Sequence, residues 1–198
     1  MQLHLASSSA RRVEILQALG LSFSARGVDI DESPLPGEAA WDMVVRLAES
    51  KARAAARDVS CLVLAADTAV VLQGRIFGKP KSMADALDML DCLSGQQHEV
   101  LTAVAVIGDG RMLSDVSETS VLFRQISADE ARRYWQSGEP DGKAGAYAIQ
   151  GLAGLFVESI AGSYSGVVGL PVFETVRLLQ RTGLVVLPPA DTEETASA

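Results

Sequence analysis

The chain has 198 residues, enough for one domain, or two tightly joined lobes, around a substantial core. Its residues are 48% hydrophobic but only 5% aromatic, so Val, Leu, Ile and Ala must fill the interior, which suits a sheet covered by helices. A net charge of −8 argues against a binder of nucleic-acid polymers, while a small polyanion stays within reach wherever a few Lys and Arg converge. Cys61 and Cys92 have no metal-type or redox spacing, and a chain of this size needs no disulfide staple, so a reducing compartment is expected. The opening run has no basic flank or cleavage pattern, and no stretch is long and apolar enough to span a membrane. The expectation is a cytoplasmic protein without a membrane partner.

In chain order, Gln2–Ala6 reads as a strand, and Ser9 stands where it can cap a helix from Ala10 to Leu19, stopped by Gly20. A short strand is expected at Ser22–Arg26. Asp29–Gly37, with two prolines and several acids, is a loop. Ala39–Arg57 has helical periodicity, with Trp41, Val44, Val45, Leu47 and Ala48 marking its buried face. Cys61–Ala66 and Thr68–Leu72 read as two β-rich runs interrupted at Asp67, and Gln73-Gly74-Arg75 as a turn. Ser82 caps a helix to Leu93, ended by Gly95.

Val100–Ile107 and Met112–Arg124 are expected to be long strands joined at Gly108-Asp109-Gly110. Ser127 with Glu130 forms a capping box for a helix to Ser137. Gly138–Gly154 is glycine-rich and aperiodic. Leu155–Ile160 is a strand and Gly162–Gly169 a loop. Pro171 suits the first helical position of a helix to Thr182. Leu184–Leu187 reads as a last strand, and residues 189–198 as a disordered acidic tail. The order is mixed α/β with hairpins between helices, not a regular βαβ alternation.

Four clusters can carry chemistry. Ser7-Ser8-Ser9-Ala10-Arg11-Arg12 joins a strand to a helix, where unpaired N–H groups, hydroxyls and guanidiniums suit phosphate oxygens; an ordinary cap followed by solvated arginines is the alternative. Leu64-Ala65-Ala66-Asp67-Thr68 places a carboxylate at a strand end, suited to hold Mg²⁺ or take a proton from water, or else a turn aspartate bonding its own backbone. Gly74–Pro80 fails as a P-loop, because the glycine spacing is one short, no Ser or Thr follows the lysine and Pro80 breaks the cradle. What survives is Lys79, a positive charge held by a rigid turn. In Asp141–Gly151, glycines allow close backbone approach, and the Gln150 amide can pair with uracil or thymine, or with guanine. Glu32, in the run Asp29-Ile30-Asp31-Glu32, either completes a metal site with Asp67 or sits in a solvated loop. His4 and His98 have no metal-type spacing and read as structural or solvated.

Together these clusters resemble the Maf family of nucleoside triphosphate pyrophosphatases, from Leu3 to about Leu179. The resemblance rests on Leu5-Ala6-Ser7-Ser8-Ser9-Ala10-Arg11-Arg12, on Asp29-Ile30-Asp31-Glu32, on Arg46-Leu47-Ala48-Glu49-Ser50-Lys51-Ala52, on Ala66-Asp67-Thr68 and on Gly78-Lys79-Pro80, in that order. Lys143–Gly151 and Gly162–Pro171 look like the dTTP/UTP branch; the sister branch acting on 7-methyl-GTP lacks the Ala-Tyr-x-Ile-Gln run.

The resemblance implies an elongated mixed α/β sheet flanked by helices, in two lobes around a cleft, spanning residues 1–188 and often assembled as a homodimer. It implies hydrolysis of a nucleoside triphosphate to monophosphate and pyrophosphate. Asp67 is then the proton acceptor, and Arg11, Thr68 and Gln150 match specificity positions. Ser7, Glu32, Lys51 and Lys79 match positions lining the cleft, and Arg12 joins the cations that neutralise the triphosphate. Mg²⁺ or Mn²⁺ would be held by Glu32, by Asp67 or by both. A 7-methyl-GTP pyrophosphatase and a regulatory binding protein of cell division are the rival readings. Ala10, Ala65 and Ala148 depart from the family pattern, and at 65 or 148 a positive φ would cost about 1 kcal/mol.

Overall fold

The computed structural model describes residues 2–186; the expected tail at 189–198 lies outside the described residues. A seven-stranded mixed sheet runs through the molecule in the order β2-β1-β3-β5-β6-β7, with β4 also on β3. Its strands are β1 (Leu3–Leu5), β2 (Phe23–Ala25), β3 (Leu62–Leu72), β4 (Arg75–Phe77), β5 (Gln97–Gly108), β6 (Arg111–Phe123) and β7 (Val157–Ala161). The β1–β2 and β1–β3 pairs are parallel and the others antiparallel. Among the described residues six α-helices flank the sheet: α1 (Ala10–Ala18), α2 (Ala40–Ala55), α3 (Met83–Leu93), α4 (Ala128–Gln136), α5 (Tyr164–Val168) and α6 (Val172–Arg181).

The two β-runs expected around Asp67 are one uninterrupted strand. β5 pairs with β3 at every residue from Val63 to Val71, so a long-range partner overrides the local break that a small-residue, acid-containing stretch suggests. The other edge of β3 is divided. β1 occupies Leu62–Leu64 and β4 occupies Val70–Leu72, which leaves residues 65–69 without a strand neighbour there among the described residues. That gap lies just past the carboxyl end of β1, where parallel strands of open α/β sheets place their ligands.

Alternation along β3 sorts its side chains between the faces. Val63, Ala65, Ala69 and Val71 pack with Val44, Leu47, Ala48, Ala52 and Ala55 of α2 in one apolar cluster. On the opposite face Leu64 and Ala66 belong to a second cluster with Leu16 and Leu178, and Val70 to a third with Phe77, Leu90 and Phe123. Asp67 therefore faces α2, and Thr68 stands between the two opposite cores.

Several local expectations need correction. Trp41 is 45% exposed, so the buried face of α2 starts at Met43 and Val44 rather than at Trp41. The N-cap Ser9 makes no side-chain cap bond, and Pro171 is the N-cap of α6 rather than its first helical residue. The segment 162–169, expected as a loop, contains the five-residue helix α5, with Gly166 N donating to the Ser163 hydroxyl. Residues 184–186 form no strand; Leu187 lies outside the described residues. The caps at Ser82 and Ser127 are formed as the pattern indicates, the latter with both bonds of the capping box. In the β5–β6 hairpin the turn is Asp109-Gly110 alone, both at positive φ, with Gly108 already paired to Arg111. Ala65 and Ala148 do not adopt positive φ, so neither departure is strained; Ala146 does, at 57°.

Candidate active site

The gap in the sheet opens into a cleft of about 900 Å³, and every residue singled out in the sequence as a candidate lines it: Ser7, Arg11, Arg12, Glu32, Lys51, Asp67, Thr68, Lys79 and Gln150. Helical spacing explains one of them. On α2 the buried positions 44, 47, 48, 51, 52 and 55 form a single stripe, and Lys51 is its only charged member. Packing that stripe on β3 carries the ammonium into the cleft beside Asp67.

Lys51 Nζ donates to Asp67 Oδ1 at 2.6 Å and lies 2.5 Å from Glu32 Oε1; Lys79 Nζ is 3.6 Å from Glu32 Oε2. Asp67 and Lys51 are each only 8% exposed. Burial pushes the Asp67 carboxyl above its ordinary range, with Lys51 and Arg12 pulling against it and Glu32 reinforcing it. For Glu32, partial burial pushes upward, but the hydrogen bond and charge of Lys51, helped by Lys79, hold it below the ordinary range. The two carboxyls therefore differ: burial raises Asp67, while its lysine partners hold Glu32 down.

On the other side of the gap, Arg12 is locked by three bonds. Its Nε donates to Gly169 O at 2.7 Å, Nη1 to Ser7 Oγ at 3.3 Å and Nη2 to Thr68 Oγ1 at 3.2 Å. Thr102 Oγ1, on the paired residue of β5, lies 3.0 Å from Thr68 Oγ1 and 2.8 Å from Gly166 O. A carbonyl only accepts and a hydroxyl has one proton. The Thr102 proton therefore belongs to Gly166, Thr68 donates to Thr102, and Arg12 donates to Thr68. The chain of bonds fixes the Thr68 hydroxyl and ties the start of α1 to α5.

Arg11 is different. Its Nε is buried without a hydrogen-bond partner among the described residues, and burial lowers its guanidinium pKa. A buried donor left unpaired is costly, so a ligand acceptor there is worth more than one in water. The first turn of α1 adds free N–H groups at the same edge of the cleft, since the first backbone bond of the helix is Val13 N to Ser9 O.

Gln150 is exposed in the cleft and makes no hydrogen bond within the protein among the described residues. The segment before it is anchored by Gly145 N donating to Gly78 O at 3.1 Å, which binds it to the stretch carrying Lys79. Gly145 has φ 67°, and a Cβ there would meet the Val70 side chain at 3.0 Å, so this approach needs glycine.

Two lining or supporting residues escaped the sequence reading, and Lys143 entered it only as part of the Asp141–Gly151 run. Thr102 is recognisable only once the β3–β5 register is known. Glu139 lines the cleft and accepts bonds from the Gln150 segment. Lys143 lines it opposite Arg11, and partial burial followed by Arg11 pushes its pKa down.

A divalent ion is the one cofactor the donor set suggests. Among the described residues no group of three His, Cys, Asp or Glu side chains is placed to hold a metal. Asp67 and Glu32 nonetheless converge on one cation, the Lys51 ammonium. They offer hard carboxylate oxygens, donor chemistry that would suit a Mg²⁺-type ion. No helix among the described residues is long and apolar enough to cross a membrane.

Comparison with known proteins identifies the family. The family model described as Maf-like protein matches residues 2–182. Three similar curated relatives are each named dTTP/UTP pyrophosphatase. The protein of Bordetella pertussis is 50% identical over 93% of this chain and 94% of its own, and that of Bordetella avium is 48% identical over 93% and 97%. The Nitrosomonas europaea protein is 48% identical over 93% and 96%. Among solved structures, the Staphylococcus aureus Ham1 protein covers 65% of this chain at 17% identity and a TM-score of 0.47, a partial likeness only. With the motifs at the gap in the sheet and a family match across nearly all described residues, the chain belongs to the family of Maf-like proteins.

Proposed function

We propose that this protein hydrolyses dTTP and UTP to the corresponding monophosphate and pyrophosphate in the cleft at Asp67. The observation that carries the reading is a buried carboxylate of raised pKa, set in a gap of the sheet and ringed by Arg11, Arg12, Lys51 and Lys79. The relatives at about half identity named dTTP/UTP pyrophosphatase supply the substrate class.

The triphosphate lies against the cations, with the Ser7 hydroxyl and the free N–H groups of α1 assisting. Water attacks the α-phosphorus. The bond from that phosphorus to the α,β-bridging oxygen breaks, pyrophosphate leaves with the bond electrons, and Asp67 takes the proton of the attacking water. Arg12 holds Ser7 and Thr68 in place. The Gln150 amide offers its N–H to O4 and its carbonyl oxygen to N3–H of uracil or thymine. Glu32 and Asp67 are the residues that would hold Mg²⁺ or Mn²⁺; when bound, such an ion neutralises phosphate charge and acidifies water.

The test is Asp67→Asn, which keeps the shape and removes the proton acceptor. The expected result is loss of turnover with nucleotide binding by calorimetry retained. Turnover near wild type removes Asp67 from the mechanism.

A further inference from the structure

The segment around Gln150 has no strand or α-helix, only short 3-10 turns at Ala144–Ala146 and Leu152–Phe156. Its shape comes from two side chains at the end of α4. Glu139 Oε1 accepts from Tyr134 Oη at 2.7 Å and from Ala153 N at 3.1 Å, and Oε2 accepts from Leu152 N at 2.9 Å. Tyr134 Oη in turn accepts from Ala148 N at 3.0 Å. One carboxylate and one phenol therefore collect backbone N–H groups on both sides of Gln150, two residues before it and two and three after it.

The approach is close. A Cβ on Gly151 would lie 2.1 to 2.7 Å from the Glu139 carboxylate atoms, so a side chain there would displace the carboxylate from these bonds. Tyr134 is buried and packs edge-on against Phe156, which fixes the phenol. Burial, followed by the hydrogen bond to Glu139, pushes its phenol pKa far up, so it stays a neutral donor. Gln150 itself carries none of these bonds. Its side chain is left for a ligand while its backbone is held from both flanks.

We infer that the Glu139–Tyr134 pair positions Gln150 and so determines how sharply the cleft discriminates uracil and thymine from other bases. The pair acts on Gln150 through the backbone N–H groups that flank it, so Glu139 and Tyr134 are positioning residues. This rests on the proposed reading that Gln150 pairs with the base. In Glu139→Gln the amide oxygen can serve only part of the bonds, and its NH₂ is a donor aimed at donors. The segment then relaxes, and a misplacement of about an ångström at a recognition group is worth a tenfold change or more.

The experiment compares wild type, Glu139→Gln, Tyr134→Phe and Gln150→Glu. Pyrophosphate release is measured on dTTP, UTP, CTP, GTP and 7-methyl-GTP, and thermal melts report folding. The expected result is that Glu139→Gln and Tyr134→Phe raise KM for dTTP and UTP, with kcat within about threefold of wild type. The kcat/KM preference for them over the other nucleotides should narrow by about tenfold. Should Glu139→Gln fail to fold, Tyr134→Phe, which removes only a hydroxyl, carries the same prediction. A uniform loss on all nucleotides with unchanged preference overturns the inference, as does an unchanged profile in folded variants. If Gln150→Glu shifts the preference and the two positioning variants do not, the positioning role alone is wrong. If Gln150→Glu leaves the preference unchanged, the base-reading role of Gln150 fails and this inference fails with it.

Discussion

Lys51 Nζ lies 2.6 Å from Asp67 Oδ1, and the two residues reach each other from a helix and a strand on opposite sides of an apolar layer. The pair lines the cleft at the gap in the sheet, and Lys51 works against the upward push that burial gives the Asp67 carboxyl.

That opposition predicts a pH effect. Replacing Lys51 with Met removes the group that lowers the Asp67 pKa most, so the carboxyl rises further. The acidic limb of the kcat/KM profile should move to higher pH. It also leaves a buried charge without its partner, which costs about 3–5 kcal/mol. Denaturant unfolding measures the cost, and a limb that stays put or moves to lower pH contradicts the coupling.

Asp67→Asn should have the opposite effect on stability. A carboxyl whose folded pKa is raised binds a proton more readily in the folded than in the unfolded state, so its ionisation weakens the fold as pH rises through the folded value. An amide avoids that cost while still accepting from Lys51. The expected change at pH 7.5 is a melting temperature higher by roughly 2 °C or more, alongside lost turnover. A clear fall in melting temperature would show that the ionised carboxylate stabilises the fold.

His98 gives a separate pH dependence. It is 2% exposed, packs edge-on against Phe123 and Tyr147, and has Nε2 3.0 Å from Tyr147 Oη. Burial lowers its pKa from 6.5 to about 4. The stability it contributes is fully present above pH 6.5 and is lost as pH falls from there toward 4, amounting to roughly 3 kcal/mol. Urea unfolding at pH 7.5 and pH 5 should show roughly 2 kcal/mol of this loss in wild type and a smaller one in His98→Phe. An equal pH dependence in both proteins assigns the effect elsewhere.

Thr102→Val is isosteric and removes the hydroxyl shared by Thr68 and Gly166. A buried acceptor left unpaired costs about 1–3 kcal/mol, and Thr68 loses its fixed orientation. Lower unfolding free energy with a reduced kcat/KM for dTTP is expected, and Thr102→Ser should restore most of both.

For the metal, chelation should abolish turnover and added Mg²⁺ or Mn²⁺ should restore it. Glu32→Gln should raise the metal concentration for half-maximal rate by about tenfold while leaving the fold intact. Full activity in the chelated enzyme would remove the metal from the account.

Much of this site was legible before the fold, and the exceptions have physical causes. Ser7, Arg11 and Arg12 are neighbours in sequence at a strand–helix junction, so the local pattern already places them together. Asp67 was legible as a candidate but its setting was not. Ala65-Ala66-Asp67 looks like a break, and only pairing with β5 makes it strand. Thr102 and Glu139 depend on strand register and on a long connection from α4, which no local pattern encodes. The helix α5 is five residues long with a glycine inside it, too short for periodicity to mark.

The most direct test is hydrolysis of a nucleotide panel in ¹⁸O-labelled water with the products separated. The account predicts that dTTP and UTP are preferred, that the products are monophosphate and pyrophosphate, and that the label enters the monophosphate. Release of orthophosphate, label in the pyrophosphate, or a preference for 7-methyl-GTP over both would contradict it.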